Sequence, residues 1–164
     1  MLDPLRAEKI AKKYLLDKRT TDGDFFFAHT QGVVSAVKIL SKRFKLNEDK
    51  MVSRAWVHDI GYFLNDMQNH ADNSLKILKE EEIYLDEVDE DCILNHGNGK
   101  NPYSREGKIM QIADKISILN EDFLEILLSK KKVTSEETNF IKMMCEKAIL
   151  MLNGMDKIEE SSDD

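Results

Sequence analysis

The chain has 164 residues, a length that suits one domain with a single hydrophobic core. Its net charge of −7 argues against binding to nucleic acid, which needs clustered Lys and Arg, but a bound metal ion could still attract a small anionic substrate. Its two cysteines are too few for a disulfide framework. Without a signal peptide or an apolar run of about 18 residues, we expect a cytoplasmic protein with no membrane partner.

Apolar residues recur at three- and four-residue spacing, which predicts an all-α fold. The predicted helices run from Pro4 to about Asp17, from near His29 to about Lys45, from the Asn47 cap to His58-Asp59, from about His70 to Glu81, from about Asp86 to His96, from the Ser104 cap to Leu119, and from about Ser135 to Leu152. Residues 20–24 are predicted to form a polar turn. Lys130-Lys131-Lys132 is read as a solvated turn rather than a binding patch. Phe140 and Met144 are expected to be buried by the last helix.

The histidines are placed as a shared site would need them, at the start or end of predicted helices: His29, His58, His70 and His96. The adjacent pair His58-Asp59 offers an imidazole and a carboxylate, although such a pair alone is a weak signal. Asp114 lies four residues from Met110 and from Ile118, so it should be partly buried, and a buried carboxylate needs a cation or hydrogen-bond donors. A mixed nitrogen and oxygen site suits Mn, Fe, Co, Zn or Mg.

The order of these residues resembles the HD superfamily of metal-dependent phosphohydrolases, whose signature is a His, a later His-Asp and a distant Asp. It is carried by His29, by Trp56-Val57-His58-Asp59-Ile60-Gly61 and by Ile112-Ala113-Asp114-Lys115. The resemblance implies a single-domain helical bundle of the HD type with a metal site at its centre. The chain then divides into an N-terminal helix and turn (1–28), an HD domain (29–120), a C-terminal helical extension (121–155) and a disordered acidic tail (156–164).

Two further segments resemble the elements that supply a second metal ion in dinuclear members of this superfamily. They are Asn69-His70-Ala71-Asp72-Asn73-Ser74 and Ile93-Leu94-Asn95-His96-Gly97. The resemblance then implies that His29, His58, Asp59 and Asp114 bind the first ion, while Asp59 bridges to a second ion held by His70 and His96. His70 could instead be a solvated residue after a cap, and His96 a core histidine. One ion or two therefore stays open, with Fe or Mn favoured for two.

The resemblance implies cleavage of a phosphate ester or anhydride of a small phosphorylated substrate, for which a nucleotide is the preferred hypothesis. A bound divalent ion lowers the pKa of a coordinated water from 15.7 to roughly 7 and so supplies a hydroxide nucleophile. Asp59 and Lys115 are the candidate catalytic residues. Lys115, directly after Asp114, is also the first candidate for binding the substrate phosphate, and Lys100 and Arg105 are further candidates. The alternatives are that Lys115 has a structural role and that Lys100 and Arg105 are ordinary surface charges.

Other functions remain open on this scaffold. The six-ligand pattern is similar to dinuclear members that split diadenosine tetraphosphate symmetrically, and a general phosphatase or pyrophosphatase is a neighbouring hypothesis. Gly61-Tyr62 is followed by Phe63, whereas the cyclic-dinucleotide hydrolases of the HD-GYP type have a Gly-Tyr-Pro element. Diiron oxygenases use the same ligand types and form the alternative enzyme class. A regulatory module without turnover and a homodimer also remain open.

Overall fold

The structure, a computed structural model, describes residues 2–18, 22–64, 66–120 and 135–160, and these residues form helices and loops without a strand. The α-helices are α1 (Pro4–Lys12), α2 (Gly23–Arg43), α3 (Glu48–Val57), α4 (His70–Glu80), α5 (Glu87–Leu94), α6 (Arg105–Ile116) and α7 (Ser135–Glu160). A π-helical turn (Lys13–Asp17) extends α1, and two 3-10 turns lie at Ile60–Leu64 and Ser117–Leu119. The predicted all-α fold is confirmed. No helix in these ranges is long and apolar enough to cross a membrane.

Side-chain caps explain where four of the helices begin. Asp3 accepts a hydrogen bond from the backbone N–H of residue 6, and Asn47 from that of residue 50. Asp86 forms a capping box with Asp89, and Ser104 accepts from the N–H of residue 107. Each cap satisfies a backbone donor that the first helical turn leaves unpaired. Because such caps are local, the sequence placed these helix starts correctly.

The start of α2 differs from the prediction. This helix begins at Gly23, six residues before His29, so Gly23 and Asp24 belong to the helix rather than to the predicted turn. The added turn buries aromatic surface: the ring of Phe27 stacks on Trp56 at 5.7 Å and that of Phe26 packs on Tyr62 at 4.5 Å. Tertiary packing therefore extends α2 into residues 23–24, although these residue types favoured a turn before the helix.

The C-terminal part also differs from the prediction. Helix α7 continues to Glu160, beyond its predicted end near Leu152, and so covers the first residues of the segment predicted to be disordered. Residues 161–164 and the Lys130-Lys131-Lys132 turn lie outside the described residues. Met144 is buried as expected, but Phe140 is 50% exposed.

Helix α2 is the centre of the core, because it packs against both α3 and α6. Its apolar stripe is fully or almost fully buried, and consists of Val33, Val37, Leu40 and Phe44. Burying side chains of this size stabilises a fold by about 1.5–3 kcal/mol each. Around this centre, α1 covers α3, α5 and α7 lie against α6, and α4 lies against the first 3-10 turn. His29 and Asp114 therefore project from two helices that are held together by the core.

Candidate metal centre

Six side chains from separate parts of the fold meet at one place, which we call the His/Asp centre. They are His29 on α2, His58 and Asp59 in the turn after α3, His70 at the start of α4, His96 just after α5, and Asp114 on α6. Their potential ligand atoms form two groups, each within 4.8 Å, and Asp59 belongs to both. The fold thus brings together all six residues that were predicted from the sequence as ligands.

The first group surrounds one carboxylate oxygen of Asp59. Oδ2 of Asp59 lies 3.3 Å from Nε2 of His29 and 3.2 Å from Nε2 of His58. Oδ1 of Asp114 lies 3.1 Å from Nε2 of His29 and 3.8 Å from Nε2 of His58. Ligands about 2.1 Å from a tetrahedral ion are separated by roughly 3.4 Å. The spacing of these atoms therefore suits a single divalent ion.

The second group surrounds the other oxygen of the same carboxylate. Oδ1 of Asp59 lies 3.4 Å from Nε2 of His70 and 3.2 Å from Nε2 of His96. These two nitrogens are 3.2 Å apart. Because the two oxygens of Asp59 face different groups, this carboxylate could contribute a ligand atom to each of them.

The backbone orients three of the four imidazoles in the same way. Nδ1 of His58, of His70 and of His96 each lies 2.6–2.8 Å from the carbonyl oxygen three residues earlier. A carbonyl can only accept, so each Nδ1 carries a proton and donates it, and Nε2 is left to face Asp59. Such hydrogen bonds fix the tautomer of a metal-binding histidine.

A serine orients the fourth imidazole. The hydroxyl of Ser117 donates to the carbonyl oxygen of Asp114 at 2.6 Å, and its oxygen lies 3.0 Å from Nδ1 of His29. Because the only hydroxyl proton is already used, Ser117 accepts from Nδ1–H of His29. Ser117 was not predicted as part of the site, and its position three residues after Asp114 was the only signal in the sequence.

The polar atoms at the centre fit a divalent cation. Nε2 of His58 and Oδ1 of Asp59 are buried, and neither makes a hydrogen bond of good geometry in the described part of the chain, although other polar atoms lie within 3.4 Å. Buried polar atoms without partners are costly. The nitrogens of His70 and His96 face each other at 3.2 Å, where two lone pairs would repel without a cation or proton between them. A metal ion in each group would satisfy these atoms.

The carboxylates hold protons on two of the histidines when no metal is bound. Burial disfavours a charged imidazole, but Asp114 and Asp59 outweigh it and raise the pKa of His29 to about 9. In the same way, burial is outweighed by Asp59 and Asp114 at His58, whose pKa rises to about 10. Burial is also outweighed at the acids, where His58 and His29 hold the pKa of Asp59 well below its usual range. The site therefore attracts positive charge, and a metal ion has to replace these protons.

Gly61 brings α4 against the turn that carries His58 and Asp59. A Cβ at this position would lie 1.9 Å from the carbonyl oxygen of His70 and 2.6 Å from the backbone nitrogen of Ser74. The N–H of Gly61 donates to the hydroxyl of Ser74 at 2.9 Å, and this hydroxyl lies 2.9 Å from the carbonyl oxygen of His58. Only glycine permits this approach, and through it the His-Asp turn positions His70.

An aromatic stack supports His70 from its other side. The ring of Tyr62 lies parallel to the imidazole of His70, with centroids 4.3 Å apart and planes 11° apart. Phe26 packs on the same tyrosine ring. Tyr62 was not predicted as part of the site, and in the sequence it stands out only where Gly61-Tyr62 is compared with the HD-GYP element. The spacing of residues in the sequence could not show that Phe26 on α2 packs against Tyr62.

A cavity of about 290 Å³ opens beside the His/Asp centre. The candidate substrate residue Lys115 lines it and is buried, with Nζ 3.4 Å from the carbonyl oxygen of Gln111. Burial lowers the pKa of Lys115, and Asp114 opposes that effect. Lys100 and Arg105 are exposed and are not among the lining residues. The structure thus brings one of the three candidate phosphate-binding residues to the site.

The loop after His96 is folded by a buried amide. Nε2 of Gln111 lies 2.9–3.2 Å from the carbonyl oxygens of Asn95, Gly97 and Lys100. These contacts use the backbone of Lys100 to shape the loop, while its side chain is left in solvent. Periodicity in the sequence could not reveal this arrangement, because the amide and the carbonyls it binds lie more than ten residues apart.

The fold and the site together define an all-α protein with a buried centre of four histidines and two aspartates. The family model of the HD domain matches residues 26–119, which is more than half of the chain, and the protein belongs to the HD-domain family.

One similar protein is a deoxyguanosinetriphosphate triphosphohydrolase-like protein of Caldanaerobacter subterraneus subsp. tengcongensis. The two sequences are 29% identical over 122 residues, which cover 62% of this chain and 36% of the relative. The chain thus spans well under half of the length of that relative. No solved structure matches the chain.

Proposed function

We propose that the protein is a metal-dependent phosphohydrolase that cleaves a phosphate ester or anhydride of a nucleotide. The observation that carries the proposal is the carboxylate of Asp59, whose two oxygens face two separate sets of histidine nitrogens. Family membership and the named relative, which is called triphosphohydrolase-like, support hydrolysis of a phosphate compound. The nucleotide as substrate is the finer part of the proposal.

The side chains have distinct roles in this proposal. His29, His58, Asp59 and Asp114 would hold one ion, and Asp59, His70 and His96 a second. Divalent ions held there would supply a Lewis acid that activates water and draws charge from a phosphoryl group. Lys115 lines the adjoining cavity, and in this proposal its ammonium group would bind a phosphate oxygen. The surrounding helices hold these groups before the substrate arrives, which reduces the cost of ordering them.

The test is metal analysis of the purified protein, followed by a phosphate-release screen of nucleotides with Mn²⁺, Co²⁺ or Fe²⁺. We expect Asp59→Asn to lose bound metal and turnover, because both groups lose their shared ligand. The matched control is Asp72→Asn, an exposed aspartate two residues after His70. Lys115→Met should raise KM for phosphate substrates without loss of metal.

Two results would contradict the proposal. One is wild-type turnover in Asp59→Asn. The other is iron-dependent consumption of oxygen without phosphate release, which would favour the diiron oxygenase.

A further inference from the structure

The cavity beside the His/Asp centre has an apolar side that neither the metal ligands nor Lys115 uses. Phe25, Met67, Phe140 and Met144 are among the residues that line it. Met67 is 60% exposed and Phe140 is 50% exposed, although both side chains are apolar. Covering such surface with an apolar part of a ligand is favourable, because it removes apolar area from water. The cavity therefore offers two kinds of contact, ionic at the His/Asp centre and apolar beside it.

Helix α7 contributes to the apolar side from outside the matched family segment. Phe140 and Met144 belong to this helix, whereas the HD-domain match ends at residue 119. The helix is seated on the core, because Ile141 and Cys145 pack in a small cluster with Ala28 and Ile118. Phe140 is thus held at the cavity by its immediate neighbour rather than by its own burial. This part of the binding surface is supplied by the C-terminal helix of this chain.

We propose that Phe140 and the neighbouring apolar side chains bind the base ring of a nucleotide whose phosphate lies at the His/Asp centre. Aromatic side chains bind bases by stacking, and they do so with little sequence preference because every base has a π-face. The volume of about 290 Å³ lies just below the range of roughly 300–1,000 Å³ for small-molecule sites. It favours a single nucleoside phosphate over a ligand with two nucleosides. The inference rests on the proposed function and names the part of the substrate that α7 recognises.

Two measurements on the Mn²⁺-loaded protein test this subsite. The first compares kcat/KM for phosphate release from AMP and from ribose 5-phosphate, which carry the same sugar phosphate with and without a base. The second measures adenosine binding by calorimetry, which reports base binding even where no phosphate is released. The variants are Phe140→Ala, Phe140→Trp, which keeps an aromatic ring, and Met67→Ala. The control is Leu150→Ala, which removes a 71% exposed side chain that does not line the cavity from the same helix.

We expect the wild-type protein to prefer AMP. Phe140→Ala should weaken adenosine binding and lower the preference for AMP by about five-fold or more, the lower end of the effect of losing one base stack. Phe140→Trp and Leu150→Ala should keep the preference. If Phe140→Ala does not fold, Met67→Ala supplies the test, because its exposed side chain contributes little to the core and its loss should still weaken adenosine binding.

The inference is overturned if the wild-type protein uses AMP and ribose 5-phosphate equally well, or if neither Phe140→Ala nor Met67→Ala changes adenosine binding. A protein that releases phosphate from neither compound and from no nucleotide of the screen described above, yet binds adenosine through Phe140, would contradict the proposed function and support the subsite. Failure of the base subsite and failure of the proposed function therefore give different results.

Discussion

Replacing Gly61 by alanine tests whether the approach of α4 to the His-Asp turn positions the second group of ligands. The added Cβ would lie 1.9 Å from the carbonyl oxygen of His70, where ordinary contact begins at 3.4 Å. The start of α4 would have to move by about 1.5 Å, because both contacting atoms of His70 and Ser74 belong to the backbone and cannot rotate away. The same movement would stretch the hydrogen bond between the N–H of Gly61 and Ser74.

The expected loss has a structural and a functional part. Overpacking a buried site costs about 1–3 kcal/mol, which corresponds to a fall in Tm of roughly 2–12 °C for a protein of this size. A displacement near 1 Å at a catalytic group can lower the rate about 100-fold. We therefore expect Gly61→Ala to bind the ion of the His70 and His96 group poorly and to lose most phosphohydrolase activity, even where the protein remains folded.

Metal content, thermal unfolding and phosphate release are measured together on this variant. The matched control is Gly154→Ala, because a Cβ at this helical glycine would meet no heavy atom within 4 Å. Alanine favours a helix over glycine by about 1 kcal/mol, so the control should be neutral or slightly more stable. Wild-type stability together with full metal content in Gly61→Ala would refute the reasoning.

Two further predictions concern the histidines of the first group. Ser117→Ala removes the acceptor for Nδ1–H of His29 and should weaken metal binding by about 10–100-fold. The control is Ser35→Ala, at an exposed serine of α2, which should leave metal binding unchanged. Metal affinity is measured by competition with a chelator, and equal affinities of the two variants would contradict the role of Ser117. Because the pKa values of His29 and His58 are raised, to about 9 and about 10, their stabilising charge is fully present below the unfolded value of 6.5. The Tm of the EDTA-treated protein should therefore fall as pH rises from about 6.5 and level off above the folded values of about 9 and about 10, and apparent metal affinity should increase from pH 6 to pH 9. If neither the Tm of the EDTA-treated protein nor the apparent metal affinity changes with pH, these protons are not exchanged for the ion.

The sequence contained the local information for most helices and for the chemistry of the centre. Caps such as Asp3 and Asn47 act within one helical turn, so they can be recognised without knowledge of the fold. The buried stripe of α2 follows from helical spacing alone. The candidate ligands could be named because imidazole and carboxylate groups are the residue types that bind such metals, and because their order matched a known family.

The tertiary structure decided what depends on contacts between distant segments. That one oxygen of Asp59 faces His70 depends on the approach of α4 at Gly61, a backbone contact that leaves no periodicity. Lys115 lines the cavity and Lys100 does not, and helical spacing in the sequence does not distinguish them. The sequence by itself determined which groups could bind a metal ion, since ligand chemistry belongs to the residue type. Their common location follows from helix packing between residues 29 and 114, and the presence of α7 at the cavity follows from the packing of Ile141 and Cys145 against the cluster of Ala28 and Ile118.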